Sequence, residues 1–280
     1  MTRRFPQEFW ASRSDTAEGI PLDDLKLPAV AESAKARWCE PHSAPQSAPP
    51  ADVPWATETA AKWLHHPDSR RAVYVPEDYE DNYAYPLIVW LHGTGGSERD
   101  LLSLMPQIST KNYFGIAFRG TLPSNDVLRV GFRWAQSRQI FEDFKHELHE
   151  TVCQLRREYH IHSERIYPVG FDDGATLALQ LLLDRPEWFG GAIALGGRFP
   201  NMKHPLARYR QLHGKRFLMG SSSRDWVCSV AEMIRTSRLL HAAGMHVSTR
   251  IDNAAHEVTP NMLMHVNHWL MEGIASATCR

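Results

Sequence analysis

From residue 70 onward, short apolar runs alternate with longer stretches whose apolar positions recur every three or four residues. Residues 71–76, Arg-Ala-Val-Tyr-Val-Pro, read as an edge strand that stops at proline. Residues 86–91, Pro-Leu-Ile-Val-Trp-Leu, are almost continuously apolar, the pattern of a central parallel strand buried on both faces. Residues 113–118 form the next strand. A long helix follows, with Ile140, Phe141, Phe144, Leu148, Val152, Leu155 and Tyr159 on one face. Glu142, Asp143, Lys145, Glu147 and Glu150 fill its solvated face. Residues 165–170 read as a strand in spite of Pro168, and residues 175–183 as a buried helix. Strands at 191–195, 216–219 and 246–251 complete the series. A helix carrying Val227, Val230, Ala231 and Ile234 and a last one carrying Met262, Leu263, Val266, Trp269 and Leu270 accompany them. Such alternation predicts an α/β fold, with a mostly parallel central sheet and helices on both faces.

The first 66 residues lack this rhythm. Their tract Pro41-His42-Ser43-Ala44-Pro45-Gln46-Ser47-Ala48-Pro49-Pro50 cannot hold a helix or a central strand. Four tryptophans, at 10, 38, 55 and 63, argue against full disorder. The expectation is an arm and linker over 1–66 that packs in part on one domain over 67–280.

Composition narrows the functional classes. With 31 basic and 32 acidic residues the formal charge is −1, so no nucleic-acid partner is expected. Apolar runs such as 177–183 fall far short of the roughly 20 residues of a membrane span. Two arginines open the chain without an apolar stretch after them, which predicts no secretion signal. The four cysteines, at 39, 153, 228 and 279, show no metal-type or paired spacing. The expectation is reduced thiols, a cytoplasmic protein and neither metal nor cofactor.

In a parallel sheet the reactive groups lie beyond the carboxyl ends of the strands. Three such ends are distinctive. His92-Gly93-Thr94-Gly95-Gly96 is a glycine-rich turn whose backbone amides can face a ligand or an oxyanion. Gly170-Phe171-Asp172-Asp173-Gly174 has the glycines of a sharp strand-to-helix elbow that projects its central side chain. Two aspartates at a helix start also serve as caps, but capping does not call for glycine on both sides. Ala255-His256-Glu257 places one of 15 histidines just before the last helix, where a base is expected. Asp225, after the 216–219 strand, supplies an orienting acid and also fits the N-cap of the next helix.

Taken in order, these segments resemble the phospholipase/carboxylesterase branch of the α/β-hydrolase fold, related to dienelactone hydrolases and polyhydroxybutyrate depolymerases. The resemblance spans residues 70–274. It includes Tyr74-Val75-Pro76 and Arg185-Pro186-Glu187-Trp188-Phe189-Gly190-Gly191. It implies a hydrolase for a small ester-like substrate, with Asp172, His256 and Asp225 as the catalytic set. The amides of Thr94 and Asp173 would form the oxyanion hole, and His92, Gly93, Gly95, Gly96 and Trp134 would contribute to binding. The pattern departs from that branch in two respects. Its nucleophile is serine or cysteine, where this chain has Asp172. The stretch from Gly220 to Asp225 is also about two residues longer than usual. A carboxylate suits attack on an sp3 carbon, as in epoxide hydrolases and haloalkane dehalogenases, better than attack on an ester. Those enzymes carry a helical cap, for which the roughly 18 residues at 198–215 are too few. His256 between two carboxylates would be held protonated, which also fits a pseudo-hydrolase that binds without turnover. The sequence leaves these alternatives, and the oligomeric state, open.

Overall fold

The computed structural model describes Trp38, residues 70–124 and residues 130–278. Among these described residues nine strands and six α-helices, besides a 3-10 turn at Pro186–Trp188, follow in chain order: β1 (Arg71–Tyr74), β2 (Tyr85–Leu91), α1 (Asp100–Ile108), β3 (Phe114–Phe118), β4 (Leu122–Pro123), β5 (Phe132–Arg133), α2 (Arg138–Glu158), β6 (Ile161–Phe171), α3 (Asp173–Asp184), β7 (Gly191–Leu195), α4 (Tyr209–Leu212), β8 (Arg216–Ser222), α5 (Val230–Ala242), β9 (His246–Asp252) and α6 (Pro260–Thr278). Seven strands form one sheet in the order β1-β3-β2-β6-β7-β8-β9, while β4 and β5 make a separate two-stranded ribbon. Within the large sheet only β1 runs antiparallel, at the edge, and it stops at Tyr74, two residues short of the Pro76 at which the sequence strand was expected to end.

Each face of the sheet has its own core, and strand pleating allots the side chains. Leu87, Val89 and Leu91 of β2 join the cluster that holds residues of α2 and α3. Ile88 and Trp90 point the other way, into the cluster with α1 and α6. All seven residues of β2 are buried, as its unbroken apolar run requires. Pro168 sits inside β6, paired with Val89. The ladder from β6 to β7 begins only at Val169, so the missing amide of Pro168 falls outside it.

Three features differ from the sequence expectation. Helix α1, with Pro106 inside it, has no counterpart among the elements expected from the sequence. The strand expected at 216–219 runs on to Ser222, which absorbs the extra residues before Asp225. Cys153, expected as a reduced thiol, is disulfide-bonded. Cys228, the other described cysteine, is free, so the partner lies outside the described residues. A long-range pairing leaves no local signature, which is why spacing missed it. A disulfide also removes the cysteine argument for a reducing compartment. Trp38 is buried, stacked on His149 at 5.2 Å, with its indole N–H donating to the Trp188 carbonyl at 3.0 Å. The rest of the expected 1–66 arm lies outside the described residues. Among the described residues no helix is long and apolar enough to cross a membrane.

Candidate active site

Strand order reverses direction at β2 and β6, which neighbour each other although α1, β3 and α2 lie between them in sequence. The loops after these two strands therefore open a crevice at the switch point of the sheet. The β2 loop delivers Thr94 and the β6 loop delivers Asp172. The elbow geometry is explicit. Asp172 has φ 54° and ψ −121°, a left-handed conformation costly for a side chain, and it starts α3 directly. Its amide is tied to the Leu195 carbonyl of β7 at 3.0 Å. Close approach explains Gly174, where a Cβ would stand 2.0 Å from the Leu91 carbonyl oxygen of β2.

Both oxygens of Asp172 have defined surroundings. Oδ2 accepts from the Thr94 amide at 3.1 Å. Oδ1 stands 3.6 Å from His256 Nε2, ion-pair distance and slightly long for a hydrogen bond. His256 Nδ1 lies 3.0 Å from Asp225 Oδ2. The other oxygen of Asp225 accepts from the amides of Val227 at 2.7 Å and Cys228 at 2.9 Å. Asp225 thus holds the turn before α5 and orients the histidine; the N-cap expected of it falls to Ser229, which accepts from the Glu232 amide at 3.2 Å, and Val227 precedes the helix instead of lying in it. Gly196, at φ +63°, leaves room for that pair, since a Cβ there would lie 2.9 Å from Asp225 Oδ2. His256 is sandwiched by Phe171, stacked at 4.6 Å, and Trp226 at 5.3 Å.

Residues 125–274 match the profile of the phospholipase/carboxylesterase family. The chain belongs to that family. It is similar to the Bacillus subtilis (strain 168) protein named "Putative hydrolase MhqD", with 25% identity over 206 residues, 70% of this chain and 98% of that one. The Bacillus cereus carboxylesterase structure superposes with a TM-score of 0.59 at 24% identity, covering 72% of this chain and 93% of that chain. The Mesorhizobium loti carboxylesterase gives 0.59 at 20%, covering 75% and 98%. These likenesses establish the α/β-hydrolase fold and, with the family match, a hydrolase scaffold for small molecules.

Within this family scaffold the glycine-rich turn is more specialised than its sequence suggests. Of its amides, that of Gly95 donates to Phe132 and that of Gly96 to Gly93, which leaves Thr94 as the donor aimed at Asp172. His92, expected to contribute to binding, is fully buried. Its Nε2 accepts from the Gly120 amide at 2.8 Å, so Nδ1 carries the proton toward the Gly93 carbonyl. Burial pushes its pKa below the ordinary histidine value. It braces the turn from behind and cannot meet a ligand. Gly93, Gly95 and Gly96 likewise serve the turn and do not line the cavity, and Trp134 presents only a ring face, because its N–H donates to the His92 carbonyl at 2.8 Å.

A cavity of about 950 Å³ opens over the elbow, with Thr94, Asp172 and Asp173 in its lining. Trp134, Phe141, Phe144 and Leu177 give it apolar walls, and Arg198, Phe199 and Met202 close one side. The last three come from residues 196–215, the short stretch that stands where other enzymes insert a cap. Sequence reasoning missed this wall because the segment has no periodicity. Among the described residues no group of three or more His, Cys, Asp or Glu is arranged to hold a metal.

Electrostatics separates the titratable groups. Burial pushes the Asp172 carboxyl up, but His256 and the Thr94 amide outweigh it and hold it below the ordinary value. For His256, burial favours the neutral ring, yet Asp172 and Asp225 overcome it and raise the pKa. Asp173 goes the other way from Asp172. Burial first, then the Asp172 charge, raise its pKa against the pull of the Thr94 hydroxyl and the more distant Arg198 and Arg133. The pairing thus favours carboxylate on Asp172 and imidazolium on His256, while Asp173 keeps its proton to higher pH than an ordinary aspartate.

Proposed function

We propose that the protein is a hydrolase in which Asp172 is a covalent nucleophile toward an sp3 carbon of a small substrate, with His256 and Asp225 activating the water. The observation that carries this reading is the Thr94 amide, which donates to Asp172 Oδ2 and not to free space. An ester substrate would need that donor for its own developing oxyanion. Here the donor already serves the Asp172 carboxyl. The carbonyl this site is arranged to hydrolyse is that of Asp172 itself, once alkylated.

In the first step Oδ1 forms a bond to the substrate carbon and the leaving group departs with the electron pair. Alkylation removes the anionic charge 3.6 Å from Nε2 that helps to hold His256 protonated. The imidazole then releases its proton and becomes a base when one is needed. It takes a proton from water, and the hydroxide attacks Cγ of Asp172. Negative charge collects on Oδ2 against the Thr94 amide, supported by the Asp173 amide at the start of α3, where a helix has no internal acceptor. Collapse expels the product alkoxide, which recovers the proton from His256. Asp172 keeps one oxygen from water and re-ionises.

Single turnover in 18O-water tests this. The expected product carries unlabelled oxygen, and the peptide containing Asp172 gains the label. Label in the product alone, with an unlabelled peptide, would refute covalent catalysis. The resting ion pair also favours a second reading, a binding site without turnover. Saturable ligand binding with no label in either place would support it.

A further inference from the structure

We propose that Asp173 is the general acid of this site, delivering a proton to an oxygen leaving group, and hence that the substrate class is a strained cyclic ether such as an epoxide rather than an alkyl halide. This rests on the covalent role of Asp172.

Thr94 holds both carboxylates. Its amide donates to Asp172 Oδ2 at 3.1 Å and its hydroxyl to Asp173 Oδ2 at 2.9 Å. Both side chains line the same cavity, whereas His256 and Asp225 stand behind the elbow, outside that lining. In-line attack by Asp172 drives the ring oxygen to the far side of the carbon, into the cavity whose lining Asp173 shares. No tyrosine is among the described residues of the lining, so no phenol is there to take this part. Halide departure calls for N–H donors instead of a proton, and the indole N–H of Trp134 is committed to the His92 carbonyl. Of the other acids in the lining, Glu142 and Asp184 are paired with Lys145. Two adjacent carboxyls with opposed proton affinities divide the work into nucleophile and acid.

The proton count closes. Asp172 Oδ1 bonds to one ring carbon, the C–O bond of the ring breaks, and its oxygen takes the proton of Asp173. His256 gives its resting proton to solvent after alkylation; once water has attacked Cγ, the carboxyl proton formed on Asp172 returns to Asp173 and His256 regains a proton from solvent. Epoxide plus water gives a vicinal diol.

The test compares 1,2-epoxybutane, which needs a proton donor, with 1-iodobutane, which does not, on the full chain and on Asp173→Asn and Asp173→Glu. Alkylation of Asp172 is read by peptide mass and by initial rate. In Asp173→Asn the expected loss is about 100-fold or more greater on the epoxide than on the iodide, with partial recovery in Asp173→Glu. The wild-type rate on the epoxide should also fall as pH rises through the Asp173 pKa, a limb missing from Asp173→Asn. Asp172, Arg198, Arg133 and the Thr94 hydroxyl are the groups that set that limb. Equal losses on both reagents, or no loss on the epoxide, would overturn the acid role while leaving Asp172 as nucleophile. Wild-type protein that is alkylated by neither reagent would overturn both proposals.

Discussion

Asp225→Asn separates the two halves of the proposed reaction. Oδ1 of Asp225 accepts from two backbone amides, at 2.7 and 2.9 Å. An asparagine keeps its carbonyl oxygen on those donors, because the alternative rotamer would set NH₂ against two N–H groups. Its NH₂ must then face His256 Nδ1 across the 3.0 Å contact. Nδ1 becomes the acceptor, the proton moves to Nε2, and the ring can no longer take a proton from water there. A histidine base locked in the wrong tautomer loses roughly 10³–10⁴ in rate, about 4–5.5 kcal/mol of barrier. Alkylation of Asp172 does not use this proton path, so it should persist. The variant should give a burst of leaving group stoichiometric with enzyme and an alkyl adduct on Asp172, with steady-state kcat reduced by that factor. Stopped-flow amplitudes and intact-protein mass measure both. A kcat within about tenfold of wild type, or a slow phase without adduct, would refute the reasoning.

Three further outcomes follow from the same structure. The His256–Asp172 pair has a linkage sign on each side. His256, with its raised pKa, stabilises fully below its unfolded value and loses that contribution as pH rises through the folded one, whereas Asp172 loses its contribution as pH falls through its depressed value. The urea midpoint of wild type minus that of Asp172→Asn should therefore shrink toward alkaline pH, and a constant difference would contradict the pairing. Leu91→Ala removes a wholly buried side chain at the end of β2 and should cost about 2–5 kcal/mol in urea unfolding, with a value under about 1 arguing against that packing. Reductant should destabilise the chain by about 2–4 kcal/mol through the Cys153 bond, and Cys153→Ser should show the loss without responding to reductant.

Asp172 and Asp225 are legible because each follows a strand whose apolar run is plain, whereas β9 is mostly polar and His256 stands out only by its place before the last helix; the structure brings the three together at 3.6 and 3.0 Å. The large sheet was legible for the same reason. Less could be read where structure depends on distant partners. Two-residue strands such as β4 and β5 carry no period, and Trp38 finds Trp188 across 150 positions. For His92 the sequence leaves a structural role and a binding role side by side, because a glycine turn exposes amides or hides a brace with equal ease, and only the Gly120 contact decides for the structural one. Nor does spacing show that Thr94 spends both its donors on the two aspartates, or that His256 stands beside only one of them, which is what separates their chemistry.

That shared anchor bears on how the site can drift. A small displacement of the turn after β2 carries the tethers of Asp172 and Asp173 together, so their mutual spacing is preserved. His256 is hung from a different loop, between β9 and α6, and does not follow. Mutations that nudge the turn would leave ring opening almost untouched and retune the water step alone. In the proposed mechanism selection would therefore have separate access to the rate of capture and the rate of release, and a variant that traps its substrate as a long-lived adduct would lie only a loop shift away.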